Sequence, residues 1–297
     1  MIPVAQYSSV ILSASSFVAV VSILPACGQQ SVMLKLTDSE ITSGPLTFVT
    51  ADSTGKIIGE SDLIPVLNDG ENIPERYSRL IDAFGIMSMG CTATHIGDGF
   101  ALTAGHCFLA TAQPQRSSMS CEGVSVSWGF RKDKAPYLIS RCVKVFAAEW
   151  NDNRDYAIFE VDKAPSQKIG FDLQTRPKEG TVLTIFGHPQ QRPLEWSRTC
   201  VLEKAARGGW GSDQFSHQCD TEQGNSGSAV LDDTALKIVA IHDGGRVPWN
   251  YATYLIDTPL AEFFGGNTEH YRPDSIATLT NAGFNRTFGA ILNRDLH

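Results

Sequence analysis

Residues 220–228 read Asp-Thr-Glu-Gln-Gly-Asn-Ser-Gly-Ser, a stretch able to present a serine hydroxyl beside a pair of backbone amides. Gly224 and Gly227 put no side chain next to Ser226, so a substrate carbonyl can come close and the chain is free to take positive φ angles. The amides of Gly224 and Ser226 could then point at one oxygen, as an oxyanion site requires. Taken alone, Gly-Asn-Ser-Gly-Ser is more often an ordinary surface turn.

A nucleophilic serine needs a base to take its proton and a third group to hold that base in the right tautomer. His106 lies in Leu102-Thr103-Ala104-Gly105-His106-Cys107, at the end of an apolar strand and beside a cysteine that could pin it. By itself such a histidine is more often a core or surface residue than a base. His95, His188 and His217 sit in turn-like or polar settings and read as structural or solvent-facing; His270 and His297 belong to the tail. Asp155 opens the alternating run Asp155-Tyr156-Ala157-Ile158-Phe159-Glu160-Val161, a rigid place for an orienting carboxylate; Asp152 is its nearest rival, and a surface ion pair is the plain alternative for either. The order is His, Asp, Ser. That differs from α/β-hydrolases, where the serine comes first.

The elements around these residues carry β signals. Short runs rich in Val, Ile, Phe and Thr are broken by Gly, Pro, Asn and Asp from about residue 90 to 260. The clearest are residues 101–103, 124–128, 137–146, 156–161, 181–186 and 229–241, the last interrupted by a hairpin turn at Asp232-Asp233-Thr234. Residues 257–264 read as a short helix. Many short strands point to barrels or sandwiches rather than βαβ units, and the span is too long for one small barrel, so two are expected.

The chain has 297 residues, 42% hydrophobic and 19% charged, which suits a globular protein with a large core. A net charge of -8 without a basic cluster argues against nucleic-acid binding. Residues 1–26 hold no Asp, Glu, Lys or Arg, and residues 10–24 are mostly apolar, which fits a secretory signal peptide better than a membrane span. The following Leu24-Pro25-Ala26-Cys27 resembles a bacterial lipobox, although Pro25 and the uncharged leader depart from it; the alternative is an ordinary cleaved leader. An anchor on Cys27 would be the only membrane contact. Of the seven cysteines, removing Cys27 leaves six, enough for three disulfides in an exported protein. Six cysteines allow fifteen pairings, of which the local choice is Cys91-Cys107, Cys121-Cys142 and Cys200-Cys219. Metal-ligand spacings of the Cys-x-x-Cys or His-Glu-x-x-His kind are missing, so no metal or other cofactor is expected. Residues 27–56 form a spacer or a removable pro-segment, and residues 266–297 a polar tail.

Five stretches together identify a family resemblance: Gly90-Cys91-Thr92-Ala93, Leu102 to Cys107, Asp155-Tyr156-Ala157-Ile158, Cys219-Asp220-Thr221 with Gly224 to Ser228, and Ile241-His242-Asp243-Gly244-Gly245. They are similar to chymotrypsin-fold (trypsin-like) serine proteases, most closely the bacterial glutamyl endopeptidase (V8-like) group. The resemblance implies an all-β fold of two antiparallel Greek-key barrels, about residues 57–170 and 171–265, with the active site between them. It implies His106 as general base, Asp155 as its orienting acid, Ser226 as nucleophile and Gly224 with Ser226 as oxyanion donors. It also implies the Cys91-Cys107 bridge beside the histidine. Peptide or protein substrates and a monomeric, exported enzyme follow. Animal members carry Asp before the serine to pair with a new amino terminus; Asn225 stands here, so that switch is missing, while residues 57–62 resemble a mature start and suggest cleavage near Lys56.

The primary pocket involves Asp220, Thr221, His242, Gly244 and Gly245. Asp220 stands where trypsin-like enzymes bind Lys or Arg; Thr221 and His242 stand where glutamyl endopeptidases bind a substrate carboxylate. Cleavage after Glu is the favoured expectation and cleavage after Lys or Arg the alternative. A non-catalytic protease-like binding domain and an esterase using the same triad remain open.

Overall fold

The computed structural model describes residues 18–21, 32–35, 56–205, 212–246 and 248–264. The chain divides into units of residues 1–50 and 51–297. In the first, β1 (Val18–Val21) and β2 (Val32–Lys35) pair antiparallel. Cys27, most of the leader and spacer, and the tail lie outside the described residues.

The second unit holds two antiparallel barrels. In the first, β4 (Phe84–Met87), β5 (Thr92–Gly97), β6 (Phe100–Thr103), β8 (Ser125–Trp128), β9 (Leu138–Trp150) and β10 (Asp155–Val161) close into a ring, because β10 pairs with both β6 and β9. β7 (Gln113–Met119) is added along β9. In the second, β11 (Val182–Gly187), β12 (Glu195–Ala205), β13 (Gln214–His217), β14 (Ala229–Asp232), β15 (Lys237–Arg246) and β16 (Trp249–Tyr254) close through β11 with β12. Ranked within its own barrel, each ring runs first, second, third, sixth, fifth, fourth and back to first. The expected pair of barrels is therefore present, with the same connectivity in both, and closure removes the sheet edges that would otherwise be open.

The segments that flank the two barrels cross over. β3 (Ile64–Pro65), expected in the first barrel, pairs instead with β12 of the second. Both rings are closed, but β13 pairs only with residues 202–205 of β12, so Glu195 and Trp196 keep a backbone edge that residues 64–65 take up. Conversely, α2 (Leu260–Phe264) follows the second barrel and lays its aromatics on residues of the first: Phe264 is 5.4 Å from Phe100, and Phe263 is 5.8 Å from Phe146, centroid to centroid. The expected helix is shorter than read, since residues 255–257 form a 3-10 turn before it.

Period-two alternation explains how one strand serves two cores. On β10, Ala157, Phe159 and Val161 fill the first barrel, while Tyr156 and Ile158 join a cluster shared with Phe186, Leu231 and Ile241 of the second. On β14, Val230 faces its own barrel and Ala229 and Leu231 face the shared cluster. Asp155 and Ser226 belong to segments that enter or leave these doubly buried strands, so the packing that joins the barrels also fixes them.

Candidate active site

His106 sits on a 3-10 turn, Gly105–Cys107, that leaves β6. Two local features hold it. Cys107 is bonded to Cys91 just before β5. A Cβ at Gly105 would come within 1.9 Å of the Glu149 carbonyl oxygen, so only glycine lets the turn lie against the β9 to β10 hairpin. That hairpin carries Asp155 at the start of β10. Its tip is braced by Asn151, whose amide donates to Arg154 O at 2.9 Å and whose side-chain oxygen accepts from the amides of Asn153 and Arg154. Asp152 lies exposed in that tip, without the Asp155 contacts.

Asp155 grips His106 twice. Its Oδ2 is 2.6 Å from the ring Nδ1, and its Oδ1 accepts from the His106 backbone amide at 2.9 Å. Burial alone would lower the imidazole pKa, but the Asp155 charge and hydrogen bond, helped by Asp243, outweigh it and hold His106 above the ordinary histidine value. With Nδ1 bound to the carboxylate, Nε2 is the nitrogen left to accept a proton.

The Ser226 loop comes from the second barrel and is tied to the first through Thr92. The Thr92 amide donates to Ser226 O at 2.9 Å, and its hydroxyl donates to Gly224 O at 2.8 Å. At Gly227, φ is +87°, and an added Cβ would lie 2.0 Å from Thr103 Oγ1 and 2.8 Å from the Ala104 amide nitrogen. The residue after Ser226 thus touches the backbone two residues before His106. Ser226 is half-buried, and the amides of Gly224 and Ser226 have no acceptor among the described residues. Cys200 bonded to Cys219 anchors the start of this loop, and Cys121 bonded to Cys142 lies at the far side of the first barrel.

The pocket residues divide. Asp220 is buried, and both its oxygens are engaged by segment 57–62: Oδ1 accepts from the Ile58 amide at 2.8 Å and Oδ2 from the Asp62 amide at 2.6 Å. Thr221 bridges antiparallel to Lys56, whose carbonyl accepts from Asn250 Nδ2 at 2.8 Å. Thr221 Oγ1 and His242 Nε2 are buried without a hydrogen-bond partner among the described residues. Gly244 faces open space, while Gly245 packs on Asn250.

Three residues near the site, His217, Asp243 and Thr253, are given no role from the sequence. His217, read as structural or solvent-facing, is fully buried, with Nε2 3.2 Å from His242 Nδ1. The contact crosses β16, which pairs with both strands, so nothing within either strand announces it. Burial pushes His217 down to about 3; burial and then the neighbouring His217 and Lys56 hold His242 well below the ordinary value. Both rings are neutral. Asp243 and Thr253 stand behind Asp155, as described below. Among the described residues, the two places where histidine meets sulfur, His106 with Cys91 and Cys107 and His217 with Cys200 and Cys219, involve disulfide sulfurs, so neither offers a thiolate to a metal.

Residues 91–241 match the trypsin-like peptidase domain. The chain belongs to that family. A solved Glu endopeptidase structure is similar over 68% of this chain and 94% of its own, with a TM-score of 0.53 and 19% identity, which supports the fold. The VesB protease of Vibrio cholerae has a TM-score of 0.46 at 20% identity, covering 59% of this chain and 61% of its own. Among curated proteins, the secreted RxLR effector protein 73 of Plasmopara viticola is 26% identical over 182 residues, 54% of this chain. The match spans only 42% of that relative's length.

Proposed function

We propose that this trypsin-like domain is an exported endopeptidase in which Ser226, His106 and Asp155 act as a triad. The observation that carries the reading is the double grip of Asp155 on His106, which leaves Nε2 free as base beside the Ser226 loop. Ser226 Oγ would attack the scissile carbonyl as its proton passes to His106. The Gly224 and Ser226 amides would stabilise the oxyanion, and His106 would return the proton to the leaving amine. Water then releases the acyl group. The three disulfides favour an oxidising compartment. Labelling of the full chain by a serine-reactive fluorophosphonate, abolished in Ser226→Ala, tests this; labelling that survives would refute it.

We further propose preference for Glu before the scissile bond. The Asp220 carboxylate is occupied by two backbone amides, which leaves it little part in binding Lys or Arg. If His217 Nε2 donates to His242 Nδ1, the single proton of the neutral His242 ring lies on Nε2, a buried donor that pairs with the Thr221 hydroxyl to receive a carboxylate. Segment 57–62 is proposed to be the start of the mature chain, held by Asp220 after cleavage near Lys56. N-terminal sequencing of the active form would disprove that step by returning Cys27 or Gly28.

A further inference from the structure

A second carboxylate stands behind the acid of the proposed triad. Asp243 on β15 is buried, and a single oxygen, Oδ2, accepts from Thr253 Oγ1 at 2.7 Å and from Gln214 Nε2 at 2.8 Å. The same Thr253 hydroxyl accepts from the Asp155 amide at 2.9 Å. Its one proton is therefore directed at Asp243 and its lone pair at Asp155. The connection runs without a break from Gln214 through Asp243, Thr253 and Asp155 to His106, joining β13, β15 and β16 of the second barrel to β10 of the first.

We propose that Asp243 is a positioning residue for the triad: bridged by Thr253, it fixes the Asp155 main chain and, when ionised, adds a second negative charge that holds the proton on His106. The inference rests on the triad reading given above. The titratable groups that act on Asp243 are Asp155 of β10 and His106; its other polar neighbours, Thr253 of β16 and Gln214 of β13, are neutral. Burial, and then the nearby Asp155 charge, push its carboxyl up to about 7, while the two donors and His106 oppose that rise. The Asp243 charge then changes near neutrality, where a histidine base must shed its proton.

Asp243→Asn separates charge from geometry, because one amide oxygen can accept from both Thr253 and Gln214. The rate of fluorophosphonate labelling of Ser226, followed across about pH 5 to 9, should rise with pH as His106 becomes neutral. In Asp243→Asn that rise should move to lower pH by about one unit, with the plateau about tenfold lower. Thr253→Val, which removes the bridge without touching either acid, should move the rise in the same direction. Thr253→Ser should recover most of what Thr253→Val loses. The His106 ring titration, read by NMR on the same proteins, should shift down in parallel and requires no turnover. Wild-type midpoints in both Asp243→Asn and Thr253→Val would overturn the inference. A wild-type chain that is not labelled at all, but whose His106 titration still moves in the variants, would overturn the triad reading and leave the Asp243 coupling standing.

Discussion

The two buried polar regions beside Ser226 are built on opposite principles. In the acid limb, from His106 to Gln214, Asp155 meets donors with both oxygens and Asp243 takes two on one of its own. In the pocket, two neutral histidines lean on each other, and Thr221 Oγ1 and His242 Nε2 end in no bond among the described residues. A buried polar atom without a partner costs about 1–3 kcal/mol, so folding does not select such atoms for stability. The difference teaches where the open polar atoms lie: the limb is linked without a break as far as Gln214, whose Oε1 alone is left unpartnered at its outer end, while in the pocket the open atoms are those proposed to receive the substrate.

The comparison breaks most visibly in the limb. Asp155→Asn keeps the shape but offers His106 an amide in place of a charge, and it favours the wrong tautomer. The expected loss is about 10⁴-fold in kcat for a peptide substrate, with KM little changed. A loss below about tenfold would mean that another acid orients the ring. In the pocket the expected change is smaller and falls on selectivity. His242→Ala or Thr221→Val should cut kcat/KM for peptides with Glu before the scissile bond by about 10- to 100-fold, a loss of roughly 1–3 kcal/mol. Substrates with an apolar residue there should change far less. Equal losses on both would show that His242 only packs.

Asp220 sharpens the boundary between the regions. Asp220→Asn can accept from only one of the two amides it now serves and should lower unfolding stability by about 1–3 kcal/mol in denaturant melts. It should leave the Glu to Lys selectivity ratio close to that of the wild type. A large change in that ratio would return Asp220 to the pocket.

Legibility in the sequence followed the same division. Strands that alternate or run apolar, such as β8, β10, β11 and β14, could be placed within a residue or two. β5 reads Thr-Ala-Thr-His-Ile-Gly and is wholly buried, yet its polar letters resemble a loop. β12 mixes a buried Glu195 with exposed Arg198 and Lys204, and β7 is almost entirely exposed, so neither shows an apolar period. Within the site, His106, Asp155 and Ser226 stand in short stretches with their own glycines and cysteines, which is why each could be singled out. Asp243, Thr253 and His217 owe their roles to neighbours across strand pairs. Such contacts depend on register, and register is not written locally. The turn of Asp220 toward segment 57–62 is of the same kind, because it pairs residues about 160 positions apart.

The smallest effects separate the regions by the sign of their proton linkage. His217 and His188 are pushed down to about 3 and about 4, mainly by burial, and His242 is held well below the ordinary value. Their folded pKa values lie below that of an unfolded histidine, about 6.5. The stability they contribute is therefore present above that pH and is lost as pH falls toward the folded values. Asp243 acts the other way. Its folded pKa, raised to about 7 against about 3.9 unfolded, makes stability fall as pH rises through that interval. Each group changes the unfolding free energy by at most about 1.4 kcal/mol per pH unit. Three histidines against one acid should make the protein more stable at about pH 6.5 than at about pH 4.5 in guanidinium melts. His217→Asn should flatten that gain and Asp243→Asn should steepen it, whatever either does to stability at one pH. If both variants kept the wild-type slope, neither group would be buried in the charge state its surroundings impose, and the contrast between the charged limb and the neutral pocket would lose its electrostatic basis.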